Sequence, residues 1–140
     1  AAFMQAAGAL LAGHAQAASK LVIEATEAAG QPEQAWAAAA VLWKPLGVRF
    51  GLGGARESLQ TLLDAKGKGL DFLKVDGRFL RGVSQDDKLA EYAGQVVATA
   101  RSIGVTLYAE GVERAEDLPT IWRLGFDGAT GPAVRRPAGG

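Results

Sequence analysis

The spacing of hydrophobic positions changes several times along the chain. Residues 1–13 carry apolar side chains three and four positions apart, which predicts an amphipathic helix ending at Gly13. Residues 20–24 (KLVIE) form an apolar run without alternation, as in a strand covered on both faces. Residues 31–45 return to helical spacing, with Pro32 suited to a first turn.

The same alternation continues to the end of the chain. Further strands are predicted at 48–52, 71–75, 106–109 and 126–129, and further helices at 57–65, within 85–103 and at 115–124. Strands that alternate with helical segments are typical of βαβ units. The pattern therefore predicts an α/β fold whose strands form a parallel sheet.

The amino-acid composition limits the kinds of catalytic and metal-binding site that the chain can form. The chain has 140 residues, 49% of them hydrophobic and 21% charged, which favours one compact domain. Fifteen basic residues balance fifteen acidic ones, so the charge pattern argues against nucleic acid as a partner. With no Cys and one His, thiolate chemistry and two-histidine metal sites are excluded. Carboxylates, Lys, hydroxyls and backbone groups remain, together with metals that prefer oxygen.

Polar residues gather where the predicted strands end. In parallel α/β proteins these carboxyl ends carry the functional groups. Here they carry Glu24, Lys74 with Asp76, Glu110, and Asp127 with Thr130. A charge among apolar neighbours needs a partner or a metal. Glu24, Lys74 and Glu110 are therefore candidates for one shared site, although a purely structural Lys–carboxylate network fits the pattern equally well.

Other conspicuous residues are predicted to be structural. His14 follows the Gly that ends the first helix, and we expect it in a loop or a helix cap. Trp36, Trp43 and Trp122 lie on helical patterns, where large aromatic side chains usually pack in a core or an interface.

Five segments resemble, in order, the motifs of the EAL-domain family, which comprises cyclic-di-GMP phosphodiesterases and their inactive relatives. They are LVIEATE (21–27), LGVRFGL (46–52), DFLKVDGRFL (71–80), YAEGVE (108–113) and LGFDGATGPAVRRP (124–137). The resemblance covers residues 1–137, leaves 138–140 as a tail, and implies a TIM-type (β/α) barrel. Such a barrel typically needs about 250 residues. We therefore expect an incomplete barrel of about five βα units out of eight, without the family's N-terminal strands.

The resemblance also implies a catalytic site and shows a departure from it. Family enzymes use two Mg²⁺ or Mn²⁺ ions to activate water; by resemblance Glu24 and Glu110 occupy metal-ligand or nearby positions, and Lys74 that of the catalytic Lys. Gly53 and Gly54, however, stand where the family has paired Asp residues, and glycine offers no side-chain oxygen. We predict a catalytically inactive site that holds no metal, with Mg²⁺ or Mn²⁺ required only if the site is active.

The predicted function is that of a cyclic-di-GMP receptor resembling the LapD type, which signals ligand occupancy to a partner without hydrolysis. Its expected ligand-binding residues are Lys74, Asp76, Glu110, Glu113, Thr130, Gly131 and Pro132. The alternatives are an active cyclic-di-GMP phosphodiesterase and a ligand-free interaction or dimerisation module. Expected partners are a GGDEF-type or membrane-linked region of the parent protein and a second copy of the domain. The expected localisation is that of a cytoplasmic domain, with a bacterial inner-membrane protein as one candidate parent.

Overall fold

The computed structural model describes residues 2–26, 33–55 and 69–134. Its α-helices are α1 (Ala2–Ala12), α2 (Ala15–Ala18), α3 (Glu33–Trp43), α4 (Asp87–Ile103) and α5 (Leu118–Leu124). Its strands are β1 (Val22–Thr26), β2 (Arg49–Ala55), β3 (Phe72–Asp76), β4 (Thr106–Glu110) and β5 (Gly128–Ala129). A short 3₁₀ helix at Lys44–Leu46 extends α3, and another at Ala115–Asp117 precedes α5.

The five strands form one sheet in the order β1-β2-β3-β4-β5, and every neighbouring pair is parallel. Sequential parallel strands joined by helices are the repeating unit of a TIM-type barrel. The predicted fold class, an α/β chain forming part of such a barrel, is confirmed. The helix predicted at 57–65 lies outside the described residues.

Several boundaries differ from those predicted. β1 begins two residues later than expected, β2 continues to Ala55, and β5 is reduced to Gly128–Ala129. β1 is also not covered on both faces by the described residues, because Val22 is 43% exposed whereas Ile23 packs against the buried cluster that contains Phe50. An apolar run therefore indicated a strand but could not show which of its faces is covered.

Two apolar clusters hold the helices on the sheet. One lies between β3, β4 and the helices α4 and α5, and includes the buried residues Leu73, Val75, Val96, Leu107 and Ile121. The other joins α1, α2 and α3 to β2 through the buried residues Ala18, Trp43, Val48 and Phe50. Burial of this apolar surface is the main force that fixes the helices against the strands.

Local signals explain the ends of the longest helix. The Asp86 carboxylate accepts hydrogen bonds from the Lys88 and Leu89 N–H groups at 3.0 and 3.1 Å, which caps the start of α4. Gly104 closes its last turn, with a backbone N–H that donates to the Ala100 and Arg101 carbonyls. None of the helices within 2–26, 33–55 and 69–134 is long and apolar enough to cross a membrane.

The aromatic residues and His14 only partly follow expectation. His14 occupies the N-cap position of α2, as predicted, but its side chain makes no capping hydrogen bond there, and its Nδ1 lies 2.9 Å from the Leu10 carbonyl of α1. Trp43 is buried, and its indole N–H donates to the Met4 carbonyl at 3.1 Å. Trp122 is 48% exposed on α5, so it is not part of the core, and its predicted role in an interface stays a prediction. The side chain of Trp36 lies outside the described residues.

Candidate functional site

A charged cluster lies on the face of the sheet opposite α4 and α5. The Lys74 ammonium donates to Glu24 Oε2, and Glu110 Oε1 lies 4.0 Å from the same nitrogen. Strands β1, β3 and β4 contribute one residue each. The Lys74 and Glu24 side chains are both 28% exposed, and that of Glu110 is 37% exposed. The cluster is therefore accessible from solvent, and its two carboxylates outnumber its one ammonium.

The positions of these residues within the strands differ from those predicted. Glu24 and Lys74 lie at the centre of β1 and β3, whereas Glu110 is the last residue of β4. They share a face because side chains alternate along each strand and the parallel register aligns Glu24 with Gly51 and Gly51 with Phe72. Strand pairing, and not position at a strand end, brings Glu24 towards Lys74.

Contact between β1 and β3 requires a gap over β2. Neighbouring strands lie about 4.8 Å apart, so β1 and β3 are separated by about 10 Å. Gly53 of β2 supplies the gap, because a Cβ atom built there would overlap Glu24 Oε1 and lie 3.1 Å from Glu24 Cδ. The Glu24 carboxylate thus occupies the space that a side chain at residue 53 would need.

Two aromatic rings lie on the same face of the sheet as the charged cluster. Phe72 and Tyr108 meet edge to face, with ring centroids 6.0 Å apart. A Cβ atom on Gly51 would overlap the Phe72 ring, and one on Gly128 would come within 2.7 Å of the Tyr108 ring. Glycine on the two flanking strands is what leaves room for the rings.

The carboxyl end of β3 carries a second ion pair. Asp76 is the last residue of β3, and Arg78 Nε and Nη2 donate to its Oδ2 at 2.9 and 2.5 Å. The Arg78 backbone N–H also donates to Asp76 Oδ1 at 2.9 Å. The side chain of Arg78 is 80% exposed. The turn after β3 therefore places a guanidinium at the rim of the sheet.

The predicted residues after β4 and β5 form a neighbouring part of the rim. Glu113 Oε2 lies 3.7 Å from Arg81 Nη1, on the turn after β3. The Thr130 carbonyl accepts the Val112 N–H at 2.8 Å, and Thr130 Oγ1 lies 3.4 Å from the Gly111 nitrogen. Gly131 and Pro132 continue this segment, and Pro132 is exposed. The hydrogen bonds thus hold the segment that follows β5 against the loop that follows β4.

The buried side chain of Asp117 fixes the turn after β3 by hydrogen bonds. It is 1% exposed and accepts hydrogen bonds from Gly82 N–H at 2.9 Å, Ser84 N–H at 3.0 Å and the Ser84 hydroxyl at 2.7 Å. Burial acts to raise the pKa of Asp117, but these bonds and the Arg114 guanidinium outweigh it and leave the pKa below its usual value. An ionised carboxylate therefore anchors the turn that carries Arg78 and Arg81.

Asp127 does not lie at the carboxyl end of a strand, contrary to the prediction that grouped it with Thr130. It precedes β5, at the amino end of the strand, where its Oδ2 accepts the Leu107 N–H at 2.8 Å. Asp71 is similar: it lies just before β3 and accepts from Lys44 Nζ and from the Phe50 N–H. Both carboxylates extend strand pairing at the end of the sheet away from the charged cluster.

The electrostatics of the cluster keep Lys74 charged. Its hydrogen bond to Glu24 raises the pKa of Lys74, burial opposes this, and the charges of Glu24 and Glu110 add to the increase. No group of three or more acidic or histidine side chains in the described ranges is arranged to hold a metal ion. The closest contact within the cluster is the ion pair between Glu24 and Lys74.

Sequence reasoning missed three residues near the cluster. Arg78 lies in the 71–80 motif and Arg81 directly follows it, and their position just after a predicted strand was an available signal. No signal in the sequence pointed to Asp117, because its hydrogen-bond partners are 33 and 35 residues away in the chain.

Comparison with known proteins gives a family match and several structural matches. The EAL domain family profile matches residues 1–137. Cyclic di-GMP phosphodiesterase TpdA of Vibrio parahaemolyticus is 33% identical over 76 residues, which are 54% of this chain and 12% of TpdA.

Two solved structures show the same fold. The phosphodiesterase PaMucR, in complex with cyclic-di-GMP, has a TM-score of 0.64 and 28% identity over 85% of this chain and 49% of its own. Klebsiella pneumoniae BlrP1, in a complex with manganese and cyclic-di-GMP, has a TM-score of 0.73 and 24% identity over 95% of this chain and 35% of its own. The chain thus spans half or less of each of these relatives.

Proposed function

Because this chain belongs to the EAL domain family, we propose that it binds cyclic-di-GMP without hydrolysing it and transmits ligand occupancy to a partner. The family relationship links it to cyclic-di-GMP phosphodiesterases and to structures that contain cyclic-di-GMP. The receptor role is the more specific statement, and it depends on the chemistry of the charged cluster.

One observation carries the proposal: Glu24 pairs with Lys74 across Gly53. A two-metal site needs several oxygen ligands from the protein, and neither Gly53 nor Gly54 offers one. Glu24, a metal-ligand position by resemblance, is instead engaged by an ammonium. The residues around Lys74 do not fit a pair of divalent cations, and this supports a site that does not activate water.

Ligand binding would then depend on donors and acceptors of the protein alone. Cyclic-di-GMP carries two phosphate charges, and Lys74 supplies a point charge on the accessible face of the sheet. Guanine N–H groups need acceptors, for which the exposed carboxylate of Glu113 is suited. The proposed binding set comprises Lys74, Asp76, Glu110, Glu113, Thr130, Gly131 and Pro132.

The partner that receives the signal is proposed to be a GGDEF-type or membrane-linked region of the parent protein, or a second copy of the domain.

Exposed apolar side chains favour a further candidate function, a ligand-free interaction module. Phe3 and Leu10 on α1 are 78% and 66% exposed, and Val41 on α3 is 73% exposed. An active phosphodiesterase is favoured by one fact, that Glu24, Lys74 and Glu110 lie together.

Calorimetric titration of the intact protein with cyclic-di-GMP, in the presence of EDTA, tests the proposal. We expect saturable binding at one site. A charge-assisted hydrogen bond contributes about 1.5–3 kcal/mol, so Lys74→Met should weaken binding about ten- to a hundredfold. The matched control is Lys88→Met, on the exposed first turn of α4, which should leave affinity unchanged. Absence of binding by the intact protein would refute the receptor function and favour the interaction module.

A further inference from the structure

The Glu24–Lys74 pair has a consequence for how an anion reaches the site. Lys74 Nζ is the cation at the centre of the cluster, and it already donates to Glu24 Oε2 while Glu110 Oε1 lies 4.0 Å away. An incoming phosphate must therefore compete with a carboxylate of the protein for the same ammonium. It must also approach against the charge of two carboxylates.

The sequence of β2 makes this contact available. Glu24 and Lys74 lie on strands separated by β2, and the Glu24 carboxylate crosses directly over Gly53. The overlap that any Cβ atom at residue 53 would make with Glu24 Oε1 means that even Ala would displace the carboxylate from this path. Gly53 therefore does more than lack an oxygen ligand, because it leaves the space through which the Glu24 carboxylate reaches Lys74.

We propose that Glu24 is a built-in competitor of the ligand phosphate for Lys74, and that Gly53 is the residue that admits it. This inference rests on the proposed function for the identity of the ligand. Glu24 lowers the affinity of the site for anions, and phosphate binding replaces the Glu24–Lys74 contact with a phosphate–Lys74 contact. A carboxylate that held a metal for the ligand would have the opposite effect, because its removal would weaken binding.

The direction of change in a Glu24→Gln variant distinguishes these roles. Glutamine preserves the size of the side chain and removes its charge. A partly exposed ion pair contributes up to about 1 kcal/mol, so we expect Glu24→Gln to bind cyclic-di-GMP up to about fivefold more tightly than wild type, with Mn²⁺ as well as in EDTA. Gly53→Ala should also bind more tightly, because its methyl group displaces Glu24. The control is Glu91→Gln on α4, which removes the same charge from an exposed helix position and should leave affinity unchanged.

A second probe separates failure of this inference from failure of the receptor function. In the intact protein with ¹³C-labelled lysine, inorganic phosphate should shift the ε-methylene resonance of Lys74, assigned from Lys74→Met, at lower concentration in Glu24→Gln than in wild type. This result supports the competition even if cyclic-di-GMP binds neither protein. If wild type binds cyclic-di-GMP, weaker or unchanged binding by Glu24→Gln would overturn the inference. Identical phosphate titrations in the two proteins would overturn it whether or not cyclic-di-GMP binds.

Discussion

Asp117→Asn should destabilise the protein although the two side chains have nearly the same size. In the wild type, Oδ2 accepts the Gly82 N–H, while Oδ1 accepts both the N–H and the hydroxyl of Ser84. An Asn that keeps its oxygen towards Ser84 points its NH₂ group at the Gly82 N–H, so two donors face each other. The variant loses one charge-assisted bond outright and weakens two others, which predicts a loss of about 3 kcal/mol.

The loss should depend on pH in a defined direction. The pKa of Asp117 is lower in the folded protein than its usual value, so the folded state favours the ionised form. The stabilisation is therefore present above about pH 4, the value of an unfolded aspartate, and disappears as the pH falls through the lower folded pKa. Below that pH, protonated Asp117 resembles Asn, and the gap between wild type and variant should close.

Urea denaturation followed by circular dichroism at pH 7 and at steps between pH 5 and pH 3 measures both effects. Glu91→Gln is the control, because it removes one charge from an exposed position of α4 and should leave the midpoint unchanged. Equal stability of Asp117→Asn and wild type at pH 7 would refute the assignment of Asp117 as the anchor of the 82–84 turn. A gap that is constant down to pH 3 would refute the role of its charge.

Two further predictions concern packing and capping. Gly51→Ala should destabilise the protein by at least about 2 kcal/mol, because its Cβ would overlap the Phe72 ring, whereas Gly94→Ala in α4 meets only Leu124 at 3.5 Å and should stabilise by up to about 1 kcal/mol. Thermal unfolding of the two variants checks this pair, and shifts of the same sign would contradict it. Asp86→Ala should cost about 1 kcal/mol and Asp86→Ser much less, since serine still caps α4. Urea midpoints decide this, and an Ala variant as stable as wild type would count against the cap.

The order of elements was predictable because helical spacing and apolar runs are local properties. Residues 85–103 carry a cap residue and an amphipathic pattern and are followed by the closing Gly104, and the structure has α4 there. The extent of β5 was not predictable, because only Gly128 and Ala129 pair with β4 while Phe126 joins the helix-side core. The apolar pattern records that Phe126 is buried, but not whether its backbone pairs in the sheet.

The candidate site shows the same division. Carboxylates and Lys74 among apolar residues identified the residues of the charged cluster, since a charge within an apolar run needs a partner and is therefore informative. The sequence could not show that Glu24 meets Lys74 across β2, because that contact depends on strand order and on the empty space at Gly53. The position of Asp127 was predicted wrongly for a related reason: it extends strand pairing at the amino end of β5, an arrangement that has no local signature.

The most direct test of the central claim is to follow the fate of the bound ligand. The intact protein is incubated with excess cyclic-di-GMP and Mn²⁺, and the dinucleotide is analysed by chromatography alongside a binding measurement on the same sample. We predict that the protein binds the ligand and that the ligand is recovered in its cyclic form, with no linear dinucleotide above background. Linear product in excess over protein, formed only with metal and lost in Glu24→Gln, would contradict the claim and identify an active phosphodiesterase.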